Sequence, residues 1–257
     1  RKPPKRSLKN DSKLNLENEL NITNVSFSYS QDRNILSDIT LLIKKGDKVG
    51  IVGTSGSGKS TFCDLLMGLL KPTKGEISID NVKLNYTNMS LWQKNIAHVP
   101  QSIFLLDESI KHNITLTSEN QKINEARLVK SCKTSEILDF INENERQMNT
   151  IIGERGVKLS GGQKQRIGIA RALYRNPNFI IFDEATSSLD GITEKNIMEA
   201  IHNFSGQKTI IMVAHRLKTV KRCDQIFLVD NGKIADQGTY EELLKRNKHF
   251  KNMVSHA

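Results

Sequence analysis
The sequence lacks any apolar run near the roughly 18 to 20 residues that a membrane-spanning helix needs. Its longest, around residues 65–70 and 209–214, are far shorter, so no bilayer-spanning helix is expected. Cysteine is scarce: Cys63, Cys132 and Cys223 are odd in number, scattered and outside any CxxC pattern. That excludes a disulfide framework or a zinc site and suits a reducing cytoplasm. Five prolines and 16 glycines in 257 residues exclude collagen and low-complexity tails. Acidic residues are also short, 28 against 38 lysines and arginines, for a net charge of +10. Half of that surplus sits in residues 1–13, where Arg1, Lys2, Lys5, Arg6, Lys9 and Lys13 face Asp11 alone, a net +5. The excess is a basic leader rather than a nucleic-acid groove, and no nucleic-acid partner is expected. The leader has neither the apolar core nor the cleavage site of a signal peptide. With Arg1 in first place, the chain reads as a piece of a longer protein.

What is present is globular: 37% hydrophobic and 26% charged residues, in a chain long enough to bury about 70 to 75% of its unfolded surface. Residues 1–18, broken by Pro3 and Pro4, read as a solvated linker. From Leu20 onward, Ile22, Val25, Phe27 and Tyr29 bring strand-type alternation, and 39–43 repeats it before a turn at 45–47. Residues 48–52 read as a buried strand. After a glycine-rich loop, Cys63, Leu66, Met67 and Leu70 fall at helical spacing, predicting a helix over 59–70 closed by Pro72 and Gly75, with strand resuming over 76–79. Strand signals fade between Gln101 and Gly161, and 123–141 is helically periodic, so an inserted helical lobe is expected there. Strand and helix then alternate again: strand 179–182, helix 194–203, strand 209–213, and a hairpin of 225–229 with 233–235 around Asn231-Gly232, a type I′ signal. A polar amphipathic helix from Tyr240 ends the chain.

The strongest local signal is Gly53-Thr54-Ser55-Gly56-Ser57-Gly58-Lys59-Ser60 between a strand and a helix, the phosphate-binding loop pattern. Its glycines let backbone N–H groups turn toward phosphate oxygens, and the following helix points its positive end at them. Lys59 is placed for the β and γ phosphates, Ser60 for Mg²⁺ and Thr61 for a further phosphate contact. Residues 179–184, Phe-Ile-Ile-Phe-Asp-Glu, suit a buried parallel strand that delivers two carboxylates to the same sheet edge. Asp183 would hold Mg²⁺ through its water shell, and Glu184 would serve the water attacking the γ phosphate as base or polarising anchor. Cys63 reads as a small packed hydrophobe. His98, His112, His202, His249 and His256 show no ligand spacing.

Leu159-Ser160-Gly161-Gly162-Gln163, with the two motifs above and in this order, closely resembles the signature of ATP-binding-cassette (ABC) ATPases. The resemblance covers about residues 20–248. It implies an α/β fold: a P-loop NTPase core with a mostly parallel sheet (about 19–100 and 165–248), an N-terminal antiparallel β-subdomain and a helical lobe (about 101–164), all within a domain of residues 19–257. It further implies that Tyr29 stacks on adenine, that Gln101 senses Mg²⁺ and the lytic water, that Asp190 in 187–190 belongs to a loop crossing a dimer, and that His215 contacts the γ phosphate. In the family two copies stack head to tail, with ATP between Lys59 of one and Ser160, Gly161, Gly162 and Gln163 of the other. The intact set of residues suits a homodimer.

The basic leader, residues 150–156 and the runs 214–217 and 230–233 resemble exporters, whose transmembrane domain is fused ahead of the ATPase. That places the expected location at the cytoplasmic face of the cell (inner) membrane. Residues 92–107 are similar to flippases of lipids or lipid-linked oligosaccharides. The alternatives are a soluble ABC ATPase acting on nucleic acid or ribosomes, and a module that binds ATP without cleaving it.

Overall fold
The computed structural model describes residues 14–30, 34–117, 122–204, 206–214 and 216–255. The first strands, β1 (Glu19–Phe27) and β2 (Leu36–Lys44), pair antiparallel and bury Leu20, Ile22, Ile39, Leu41 and Ile43 by the period of two that a one-faced sheet requires. The chain leaves this sheet for β3 (Lys48–Val52) and α1 (Lys59–Leu66), then returns as β4 (Lys74–Ile79) and β5 (Val82–Lys83). The result is a four-stranded antiparallel sheet in the order β2-β1-β4-β5.

Strand β3 belongs to a second sheet, completed by β6 (Ile96–Val99), β7 (Phe179–Asp183), β8 (Thr209–Val213), β9 (Gln225–Asp230) and β10 (Lys233–Gly238). Its order is β10-β9-β3-β8-β7-β6, parallel throughout except for the β9–β10 hairpin. Strand β8 is buried at every position and β3 at all but its first, as expected for parallel strands covered on both faces. The hairpin turn has φ of 47° at Asn231 and 74° at Gly232, the paired left-handed residues of a type I′ turn.

The remaining helices are α2 (Met89–Gln93), α3 (Ile110–Thr115), α4 (Glu125–Thr134), α5 (Leu138–Glu143), α6 (Gly161–Tyr174), α7 (Gly191–His202), α8 (Leu217–Val220), α9 (Tyr240–Arg246) and α10 (Lys248–Ser255). Among the described residues no helix is long and apolar enough to cross a membrane. Three apolar clusters form the core. One lies between the two sheets around α1, one on the opposite face of the larger sheet under α6, α7, α9 and α10, and one inside the helical region α3–α5. Helix α6 contributes Ile169, Ala172 and Leu173 to the second and Ile167, Ala170 and Tyr174 to the third.

The structure departs from the periodicity in four places. The helix expected over 59–70 stops at Leu66, because Gly68 takes φ of 67° and turns the chain back toward β4. The region 123–141 is two helices, separated where Glu136 is left-handed (φ 56°) so that Ile137 turns fully inward. The C-terminal helix divides at Asn247, whose side-chain oxygen accepts from the Phe250 N–H and starts α10. The stretch expected as a solvated linker is pinned in its described part: Leu16 is buried, Asn95 donates to the Leu14 carbonyl (2.6 Å), and Asp80 accepts from the N–H groups of Glu17 and Asn18. Residues 1–13 lie outside the described residues.

Several short elements escaped the sequence patterns, among them β5, α8, α2 and the edge strand β6. Helix α2 exists to seat Trp92. This residue is fully buried, donates from Nε1 to the Leu66 carbonyl at 2.8 Å and lies edge-on to Phe179 at 5.3 Å, so one side chain joins α1, α2 and β7. Trp92→Ala is expected to destabilise the fold by about 3 to 5 kcal/mol, read as a lowered urea midpoint at unchanged slope; a loss under about 1 kcal/mol would contradict this packing role.

His202, at the end of α7, is 6% exposed and its Nδ1 finds no partner among the described residues. Burial first, then the charges of Arg222 and Lys48, push its pKa from 6.5 down to about 4. A histidine held neutral in the fold supports stability above its unfolded pKa and withdraws that support on acidification. Stability is therefore expected to fall as pH drops from 6.5 toward about 4, by on the order of 1 kcal/mol after solvent screening. Urea midpoints across that window check this, and His202→Gln should flatten the dependence.

Candidate nucleotide-binding and catalytic site
The loop 53–58 joins β3 to α1. Gly58, immediately before the helix, has φ of 105°, and a Cβ there would press on Leu36. No side chain caps α1, so its first-turn N–H groups stay free of helical and side-chain partners and present positive charge toward the loop. The Ser57 N–H donates to the Thr54 carbonyl (3.2 Å), and the Ser57 carbonyl accepts from Gly232 (3.1 Å), which ties the loop to the β9–β10 turn. Thr54, Ser55, Gly56 and Ser60 are exposed.

Lys59 is 6% exposed, and its ammonium donates to the carbonyls of Gly53 (2.9 Å) and Thr54 (2.8 Å). Burial lowers its pKa, and the charges of Glu184 and Asp183 act in the opposite direction. Tyr29 is 65% exposed. It stands edge-on to Phe27 at 4.9 Å, and its hydroxyl lies 3.4 Å from the Thr61 hydroxyl, next to the start of α1.

The carboxylates come from β7. Asp183 ends the strand opposite Val213 of β8, and Glu184 takes a left-handed φ of 51° while donating its N–H to the Val213 carbonyl at 3.0 Å. A non-glycine residue held there is strained, a condition that concentrates at working sites. His98, to which the sequence assigned nothing, lies opposite Ile181 in β6 and so shares a sheet face with Asp183. Its imidazole stands in the field of Asp183 and Asp64, with burial lowering its pKa, and its Nε2 is buried without a partner among the described residues. Strict alternation along β6 and β7 is the signal that would have found it. His215 lies outside the described residues.

Gln101 is exposed just beyond β6, after Pro100. Three residues of α6 that the motifs did not mark hold this segment. Gln165 donates to the Pro100 carbonyl (3.2 Å), Gly168 leaves space that Ile103 fills, and Arg171 donates to the carbonyls of Phe104 (3.0 Å) and Asn113 (2.8 Å).

The signature segment opens α6. Ser160 caps it by accepting from the Gln163 N–H, and the Gln163 side chain accepts in turn from the Ser160 N–H at 2.8 Å, a reciprocal capping box. Asp190 caps α7 from Thr193 at 3.0 Å, which holds its carboxylate below the ordinary range. Gly162 lies against the Ser188 carbonyl, so the two segments form one surface.

Among the described residues no cluster of three His, Cys, Asp or Glu forms a protein cage for a metal. The donor set instead fits Mg²⁺, which takes one or two protein oxygens and completes its shell with phosphate and water. Ser60 and Asp183 would supply such oxygens beside the cationic loop.

The sequence matches the family model described as ABC transporter over residues 36–187. It is 44% identical over 232 residues to the alpha-hemolysin translocation ATP-binding protein HlyB of Escherichia coli O157:H7, covering 90% of this chain and 33% of that protein. It is 38% identical over 240 residues to the ATP-dependent lipid A-core flippase of Pasteurella multocida (strain Pm70), covering 93% of this chain and 41% of that protein. The structure of a bacterial Atm1-family ABC exporter with ATP bound superposes with a TM-score of 0.89 at 35% identity, over 95% of this chain and 43% of that one. The chain thus spans 33% and 41% of the lengths of these two curated relatives. It belongs to the ABC transporter family, as an ATP-binding domain homologous to those of exporters.

Proposed function
We propose that this chain is the ATP-hydrolysing motor of an exporter, working as a head-to-tail homodimer around two Mg-ATP beneath a transmembrane domain, on the cytoplasmic face of the cell membrane. The observation that carries this reading is the meeting of Lys59, Asp183 and Glu184 in one charge neighbourhood at the open start of α1. The second glycine-bearing helix start, Ser160 to Gly162, lies in another part of the molecule against Ser188, which suits service to a partner's nucleotide. For cargo we favour a lipid or lipid-linked oligosaccharide, in keeping with the flippase relative.

In this mechanism the loop 53–58 and Lys59 hold the β and γ phosphates, Thr61 adds a contact, and Tyr29 offers its exposed ring to the base. Mg²⁺, held by Ser60, Asp183 and Gln101, would neutralise charge on the phosphate oxygens. Glu184 accepts the proton of the attacking water or anchors it, with Gln101 and His215 orienting the same water. Ser160, Gly161, Gly162 and Gln163, with Asp190, would close the partner's site. Cleavage weakens the charge contacts across the interface, so chemistry becomes opening and closing.

Glu184→Gln is expected to lower ATP turnover by about 10²- to 10⁴-fold with nucleotide binding retained and an ATP-bound dimer accumulating in size-exclusion chromatography. Undiminished phosphate release would contradict the assigned role. Lys59→Ala removes charge-assisted contacts worth about 1.5 to 3 kcal/mol each. Its nucleotide affinity by calorimetry should fall at least about a hundredfold, and wild-type affinity would overturn the phosphate-loop assignment.

A further inference from the structure
A cleft of about 300 Å³ opens between α4 and the edge of the larger sheet remote from the phosphate loop, where the chain enters β7 and β8. The cleft is lined by three cations, Arg127, Lys130 and Lys208, and by the apolar side chains of Leu173 and Phe204. The Lys208 ammonium is fixed in place, donating to Asn176 Oδ1 (2.9 Å) and to the Pro177 carbonyl (2.6 Å), and it stands 5.9 Å from the centre of the Phe204 ring. Two of its three donors are used, leaving one for another acceptor. Burial lowers the Lys208 pKa and the neighbouring charge of Lys130 lowers it further. No carboxylate lines the cleft among the described residues. Like charges gathered around a partly desolvated cavity repel one another, and a bound anion removes that cost.

We propose that this cleft binds a small organic phosphate, its dianionic head between Lys130 and Lys208 and its apolar body against Leu173 and Phe204. Lys130 and Lys208 match the charge of about −2 that a phosphate monoester carries, with Arg127 beside them, and the volume accommodates a small ligand. Helix α4 belongs to the apolar cluster of the helical region, whereas Phe204 packs on the cluster beneath the sheet. A ligand held here bridges the two and stiffens one against the other.

The test is a titration of the ¹⁵N-labelled 257-residue chain with phenyl phosphate, followed by amide shifts, with phenol and inorganic phosphate as separate arms. Phenyl phosphate should give saturable shifts in residues 126–134, 173–176 and 206–208, with a dissociation constant of about 1 mM or tighter. Lys130→Glu, at an exposed position, should weaken that binding at least about tenfold, and Arg127→Glu provides a second exposed variant expected to act in the same direction. Phenol should produce no saturable shift, and inorganic phosphate should bind more weakly than phenyl phosphate. Shifts confined to residues 53–61, unchanged affinity in both variants, or equal responses to phenol and phenyl phosphate would each overturn the proposal. Because the phosphate loop responds through different amides, its occupancy is read separately from that of the cleft.

Discussion
One buried cation organises the site. Lys59 is nearly excluded from solvent, and desolvation weakens its hold on its proton; two backbone carbonyls and the charges of Asp183 and Glu184 oppose that cost. These carboxylates lie more than a hundred residues away in the chain, and parallel strand register brings them near. Ile51 of β3 and Asp183 of β7 both stand opposite Val213 of β8. A slip of one residue in either pairing would turn Asp183 to the far face of the sheet. The apolar burial of β3 and β8 thus fixes the geometry of the candidate site as well as the core.

What was legible in the sequence was local. The phosphate-loop pattern, the acid pair after an apolar strand, the type I′ hairpin and the strands 48–52 and 209–213 each declare themselves within a few residues, because glycine conformation and short apolar runs act at that range. The unread parts depend on distant partners. Helix α2 has five residues and no period to detect; it is held by Trp92 packing against α1 and β7. Edge strand β6 has four residues and, among the described residues, pairs with β7 alone. The left-handed turn at Glu184 follows from its bond to Val213, and no side-chain pattern announces it. His98 needed knowledge of which strand lies beside β7.

Helix α6 shows how the pieces communicate. One side packs under the sheet and the other inside the helical region, while Gln165, Gly168 and Arg171 grip the chain just after Gln101. These contacts couple the segment 100–104 directly to the body of α6.

The two glycine-bearing helix starts differ in what they can offer an anion. At α1 the residue before the helix is Gly58, which caps nothing, so the first-turn N–H groups are all available and a lysine stands beside them. At α6 the Ser160 hydroxyl already takes the Gln163 N–H, and the Gln163 side chain takes that of Ser160. The donors of Gly161 and Gly162 remain, with no buried cation in the box to reinforce them. The second start is thus the weaker anion holder, rigid and preorganised but short of charge. In the proposed dimer that asymmetry has a use: α1 retains the nucleotide through the cycle, while α6 engages only when a partner's triphosphate supplies the missing attraction, and lets go when that charge is divided.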